Sequence, residues 1–174
     1  KRTFNLTTNE ICSSYEFSIH ANQKILIESS RFVSYADKSF FCQRWRIKVE
    51  GETSSPISIQ TGIDGQVSNE SVTHLRKHQF RAIQDTMIMQ AECGTQTVQV
   101  CSGIQCSNNV EPILLRKDYI LPRRRIFYKS VIQPAAGEVY EFIKISRIVL
   151  SKQFIDQDDA LIALAGSLQV GLDA

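Results

Sequence analysis

The sequence predicts an all-β fold, an antiparallel β-sandwich followed by one C-terminal helix. Three observations carry that prediction. Apolar and polar residues alternate with a period of two through most of the chain, as in strands that keep one face in a core. Polar or glycine-containing segments break these runs at short intervals, and many short strands so spaced argue for a sandwich. Helical spacing of apolar residues appears only after Ala160. With 174 residues, 43% hydrophobic and 22% charged, the chain suits one domain with a real core rather than a disordered segment.

The first strand sets Ile11, Ser13, Tyr15, Phe17 and Ile19 on one face and Cys12, Ser14, Glu16 and Ser18 on the other. Residues 20–23 read as its turn. Ile25 and Ile27 restart an alternation that runs to Ser34. Phe41, Gln43, Trp45, Ile47 and Val49 line one face of the next strand, with Arg44, Arg46 and Lys48 in water behind them. Tyr15 and Trp45 are therefore expected in the core. Residues 51–56 form a polar loop before Ile57 and Ile59. Gly62-Ile63-Asp64-Gly65 then reads as a structural turn: its glycines supply positive φ, and the aspartate bonds its own backbone. The polar stretch 68–79 reads as a long loop. Strands resume over 82–92 and 95–102, turning at Gly94. A loop passes through Asn108 and Asn109, and weaker β character occupies 113–121. Two clear strands, Arg125–Ile132 and 138–150, are joined by residues 133–137.

The ending differs in kind. Leu161, Leu164, Ala165 and Leu168 recur at helical spacing, behind Asp156, Asp158 and Asp159, which suit a helix start. Gly171 suits its end. The expected division is a sandwich over residues 1–155 and the start of a helical linker over 156–174.

Charge and cysteine usage exclude several classes. A net charge of +2 with dispersed basic residues does not suit nucleic acid, and Arg123, Arg124 and Arg125 read as a solvated loop edge. No apolar run reaches the roughly 18 residues of a membrane span. The five cysteines, at 12, 42, 93, 101 and 106, include no pair at the spacing of a zinc site or redox dithiol. Their odd number points to a reducing, cytoplasmic setting, and Cys42 reads as a buried, inert thiol. Asn5-Leu6-Thr7 and Asn69-Glu70-Ser71 match the glycosylation pattern, which matters only after secretion.

No motif of catalysis or metal binding is complete in the sequence. His74 and His78 have metal-pair spacing on a helix, but Leu75 stands where a protease would carry glutamate, and no third ligand is near. Neither Ser102 nor Ser167 sits in a strand-turn-helix elbow. No glycine-rich phosphate loop follows a strand, and Asp64 reads as a turn residue rather than an acid. No catalytic, cofactor-binding or metal-binding residue is assigned, and no cofactor; the site residues are the turn residues Gly62, Asp64 and Gly65. Trp45, Tyr15, Tyr35 and the Phe40-Phe41 pair have the chemistry of a sugar-stacking platform. With Trp45 and Tyr15 assigned to the core, Phe40 is left as its exposed member. A free-standing carbohydrate-binding sandwich is thus the alternative function.

Two ordered stretches, Arg31-Phe32-Val33-Ser34-Tyr35-Ala36-Asp37 and Thr61-Gly62-Ile63-Asp64-Gly65-Gln66-Val67-Ser68-Asn69, resemble the N-terminal domain of glycoside hydrolase family 65. Phe4-Asn5-Leu6-Thr7-Thr8, Gly137-Glu138 with Lys144, and the helical segment from Ala160 are similar to that domain in the same order. Residues 147–154 and 74–85 depart from its pattern. The resemblance implies a partial supersandwich of the galactose-mutarotase type, joined through a helical linker to a catalytic barrel of paired helices absent from this chain. It implies a maltose-type phosphorylase as the parent enzyme, acting in carbohydrate metabolism on an α-glucosyl disaccharide with inorganic phosphate as co-substrate. The acid and the phosphate site then belong to the barrel, and this chain alone is not an enzyme. It also implies the possibility of a homodimer, and that the chain begins partway through the sandwich.

Overall fold

The computed structural model describes residues 1–20, 23–51, 55–69, 72–83, 86–108, 111–112, 118–120 and 124–151. These residues form strands and turns throughout, with no helix among them. In chain order the strands are β1 (Arg2–Asn5), β2 (Glu10–His20), β3 (Gln23–Val33), β4 (Phe40–Glu50), β5 (Ile57–Asp64), β6 (Ser68–Asn69), β7 (Val72–Thr73), β8 (Leu75–Ile83), β9 (Thr86–Cys93), β10 (Gln96–Asn108), β11 (Glu111–Pro112), β12 (Asp118–Ile120), β13 (Arg125–Ile132) and β14 (Val139–Ser151). The fold is all-β and its strand pairs are antiparallel. The helix expected after Ala160, with its aspartates and Gly171, lies outside the described residues.

Two compact units make up the chain, one of residues 1–59, 105–116 and 130–144, the other of 60–104, 117–129 and 145–174. In the first unit the hydrogen-bonded strand order is β1-β2-β3-β4-β14-β10, with β11 also on β10. In the second it is β14-β10-β9-β8, beside a three-stranded sheet β12-β13-β5 and the pair β6-β7.

The β2-β3 and β3-β4 hairpins follow the alternation. Register runs without a slip from Lys24↔Glu50 to Val33↔Phe41. The turn between β3 and β4 is built by Asp37, whose Oδ1 accepts from Ser39 N at 2.9 Å, while Ser34 N donates to Phe40 O at 3.0 Å. An aspartate bonding the backbone two residues ahead is a turn device in its own right, which gives Asp37 a local role.

Both units hold buried apolar residues. In the first, Ile47, Val49, Cys106, Ile132, Tyr140 and Phe142 are buried; in the second, Ile63, Met87, Ile88, Met89, Ala91, Cys101, Ile104, Ile126 and Tyr128. β9 is buried on both faces from Thr86 to Ala91, so Met87, Ile88 and Met89 follow one another without alternation, with Thr86 and Gln90 enclosed beside them. Two hydroxyls enclosed in the second unit pair with each other: Ser102 Oγ lies 2.9 Å from Ser146 Oγ.

Three expectations are corrected. Strands stand where a loop was expected over 68–79: β6, β7 and the first part of β8 lie there, and a register shift between Arg76 and Gln79, with Lys77 at φ 49°, hides the alternation of β8. The single strand expected over 82–92 is two, β8 and β9, paired from Leu75↔Cys93 to Ile83↔Thr86. Gly62 lies inside β5, and neither Gly62 nor Gly65 has positive φ; that conformation falls instead to Gly51, Gly94 and Gly137.

Candidate functional site

The functional candidate is the face of the first unit that carries the odd-numbered residues of β2, β3 and β4. Pairing aligns them in rows across the strands: Ser13↔Ser29↔Trp45, then Tyr15↔Ile27↔Ile47 on one side and Ile11↔Arg31↔Gln43 on the other. β1 extends these rows, with Arg2 opposite Ser13 and Phe4 opposite Ile11. The small serines form a floor, and larger side chains rise around it. The result is a groove of about 490 Å³ whose lining includes Arg2, Tyr15, Phe17, Arg31, Gln43 and Trp45. That volume is in the range of small-molecule sites.

This face is open. Tyr15 and Phe17 are each 51% exposed and stack on one another, with centroids 6.3 Å apart and planes 19° from parallel. Tyr15 is therefore not the core residue that its alternation implied. Trp45 is half-buried at the groove, and only Ile47 and Val49, further along the same face of β4, are buried. Phe40, expected to be the exposed aromatic, is half-buried, whereas Tyr35 is 94% exposed.

The opposite face of the same strands is a charge lattice. Lys24 meets Glu16 at 2.6 Å, Lys48 meets Glu50 at 3.0 Å, and Arg44 and Arg46 approach Glu141 of β14 at 3.6 and 3.5 Å. Exposed pairs of this kind are solvated and mutually neutralised. They leave no single-sign field for a charged ligand.

The other sequence-derived candidates sit elsewhere. Asp64 Oδ1 accepts from Gln66 N at 2.9 Å, the self-bonding expected of it, and its Oδ2 lies 3.0 Å from Arg125 Nε. Gly65 N donates to Arg124 O at 2.9 Å. A β-carbon on Gly62 would lie 2.0 Å from Ile126 O, and one on Gly65 would lie 2.7 Å from the His78 ring. Close approach, rather than φ, is what these two glycines provide. His74 is exposed ahead of β8, and His78, on that strand, stacks on Phe80 with centroids 6.0 Å apart. Among the described residues no three of His, Cys, Asp and Glu are gathered as metal ligands. All five thiols are free; burial pushes Cys101 up to about 12 and Cys106 to about 11, so neither is a ready nucleophile. Cys42 is half-buried rather than buried, with its pKa also raised by burial. Ser167 and Arg123 lie outside the described residues.

The model of the glycosyl hydrolase family 65 N-terminal domain matches residues 1–174. The chain belongs to that family. Within this family 65 domain, the stretch 31–37 is the end of β3 with its aspartate turn, and 61–69 runs from β5 into β6. A solved structure assigned as a kojibiose phosphorylase, from the human microbiome, has a similar fold, with a TM-score of 0.77 over 95% of this chain at 14% identity. The family 65 domain spans 21% of that protein's length. No curated protein matches its sequence. Among the described residues no helix is long and apolar enough to cross a membrane.

Proposed function

We propose that this domain serves a maltose-type phosphorylase as a supporting, non-catalytic part, in cytoplasmic carbohydrate metabolism. The match of the family's N-terminal model along residues 1–174 carries the reading. Fold likeness to a protein assigned as a kojibiose phosphorylase favours a phosphorylase over a hydrolase as the parent. On this reading the strands close as a sandwich of the supersandwich type, and residues 156–174 begin the linker to a helical barrel. That barrel supplies the general acid and the site for inorganic phosphate, and the disaccharide is the substrate of the whole enzyme. The assembly proposed is a homodimer, testable by sedimentation across a concentration series. The 174-residue chain, incubated with phosphate and maltose, trehalose, kojibiose or nigerose, should release no glucose 1-phosphate. Phosphate-dependent release by the purified chain would overturn the proposal.

A second reading, a free-standing carbohydrate-binding module, is favoured by one observation: the open groove with Tyr15, Phe17 and Trp45 in its lining. Binding of a maltooligosaccharide to the isolated chain is its test.

A further inference from the structure

We infer that the groove over β2, β3 and β4 is a binding site for a neutral glucosyl oligosaccharide, separate from any centre of bond cleavage. The inference rests on the carbohydrate reading above and names the site, the ligand class and the residues that would hold it.

A pyranose ring presents two kinds of surface. Its C–H face is apolar and stacks on aromatic rings, and its rim of hydroxyls takes hydrogen bonds from planar polar side chains. The groove offers both in a fixed order. The Ser13↔Ser29 pair lowers the floor, and Trp45 closes the same row on β4. Rows in a sheet are about 6.7 Å apart for alternate residues, and neighbouring strands about 4.8 Å. Tyr15, one row along and two strands across, is thus spaced from Trp45 so that each aromatic can meet a different ring of a short oligosaccharide. On the far side of the serine row stand Arg31 and Gln43, opposite each other in register, with Arg2 beside Ser13. Guanidinium and carboxamide groups donate two hydrogens from one plane, which suits adjacent hydroxyls.

Other occupants suit the groove less well. A protein partner would centre on the Ser13–Ser29 floor, and serine is depleted in protein interfaces. A metal or a cationic ligand lacks carboxylates, since no Asp or Glu lines the groove. The ion pairs Lys24–Glu16, Lys48–Glu50 and Arg44 and Arg46 with Glu141 are on the other side of this sheet, and Arg2 and Arg31 are the charges in the groove's lining.

Trp45 is the only tryptophan of the chain, so its fluorescence reports on this site alone. Titration of the 174-residue chain with maltotriose should give a saturable change in emission. Tyr15→Ala and Arg31→Ala should each weaken binding about tenfold or more, while Arg44→Ala, on the opposite face, should leave it within twofold. Far-UV circular dichroism checks that each variant is folded, and equilibrium dialysis measures binding independently of Trp45. Dialysis showing binding that is indifferent to Tyr15→Ala and Arg31→Ala would overturn the groove while leaving a carbohydrate-binding module standing. No binding of maltotriose at all would overturn both. Self-association abolished by Tyr15→Ala, with no response to sugar, would make the face an interface between copies and overturn the inference.

Discussion

At Gly62 a β-carbon would lie 2.0 Å from the Ile126 carbonyl oxygen and 2.8 Å from Phe127 Cα, both fixed backbone atoms. At Gly65 the nearest atom belongs to the His78 ring, a side chain at 2.7 Å, and the nearest backbone atom, Arg124 O, is 3.0 Å away. Alanine should therefore cost more at Gly62 than at Gly65, with overpacking at Gly62 worth about 1–3 kcal/mol. Gly94 offers the control: nothing lies within 4 Å, yet its φ of +63° alone should make alanine cost roughly 1–2 kcal/mol. Urea unfolding of the three variants checks the order, and equal effects at Gly62 and Gly65 would contradict it. Lys144 supplies a second residue-scale prediction. It is only 7% exposed, and burial pushes its pKa down to about 8. The unfolded chain then holds more protons than the folded chain between pH 8 and the ordinary lysine range, so stability rises with pH across that window. Cys101 and Cys106, whose pKa values are raised, work the other way above their ordinary value of 9. Their effect cancels when wild type is compared with Lys144→Met. Relative to that variant, wild type should gain about 2–3 kcal/mol between pH 7 and pH 10. A difference that stays flat with pH would show that Lys144 is not charged against a cost.

The connection from β13 to β14 shows how one element is held. Gly137 takes φ 81°, its amide donates to Val49 O at 3.0 Å, and Glu138 N donates to Ala135 O at 3.2 Å. The Tyr140 hydroxyl lies 2.5 Å from Glu138 Oε2 and 3.1 Å from Gln133 O, either of which can accept its proton. Burial first, and the bond to Glu138 second, push Tyr140 up to about 12, while the same bond lowers Glu138. Tyr140→Phe should lower stability by about 1–2 kcal/mol, read as a shift of the urea midpoint at constant m-value. The charge lattice behind β4 should behave differently. Glu141 holds both Arg44 and Arg46 at 3.5 to 3.6 Å, but the arginine side chains are half in water. Glu141→Gln should change stability by less than about 1 kcal/mol, and by less still in high salt. A loss of several kcal/mol would mean that the lattice holds strands together rather than merely solvating them.

For the molecule as a whole, both units hold buried apolar residues, and the first also keeps an apolar and polar face open to solvent. Tyr15, Phe17, Val33, Tyr35 and Phe4 of this unit are exposed apolar side chains. The proposed supporting role in a larger enzyme and the proposed oligosaccharide groove are compatible, because neither proposal needs a reacting group in this chain.

The sequence by itself determined β2, β3, β4, β13 and β14 almost to the residue, because each is a period-two run bounded by turn residues whose chemistry is local. Asp37 and Asp64 bond backbone two residues on, and that too is written in the chain. It identified the two faces of β2 and β4 correctly as sets, and the family through its ordered stretches. Tertiary structure alone decided what covers each face. Alternation tells which side chains point together, but burial depends on whether a second surface arrives, so Tyr15 and Phe17 are open while Ile47 and Val49 are buried. From sequence β8 reads as loop up to residue 79 because its register shift breaks the period, and its end merges with β9 into one strand over 82–92, because burial on both faces of β9 leaves no period to mark where it starts. Gly62 and Gly65 were recognised as glycine positions for the wrong reason: φ is a local property, whereas the backbone or side chain that crowds them comes from strands distant in the sequence.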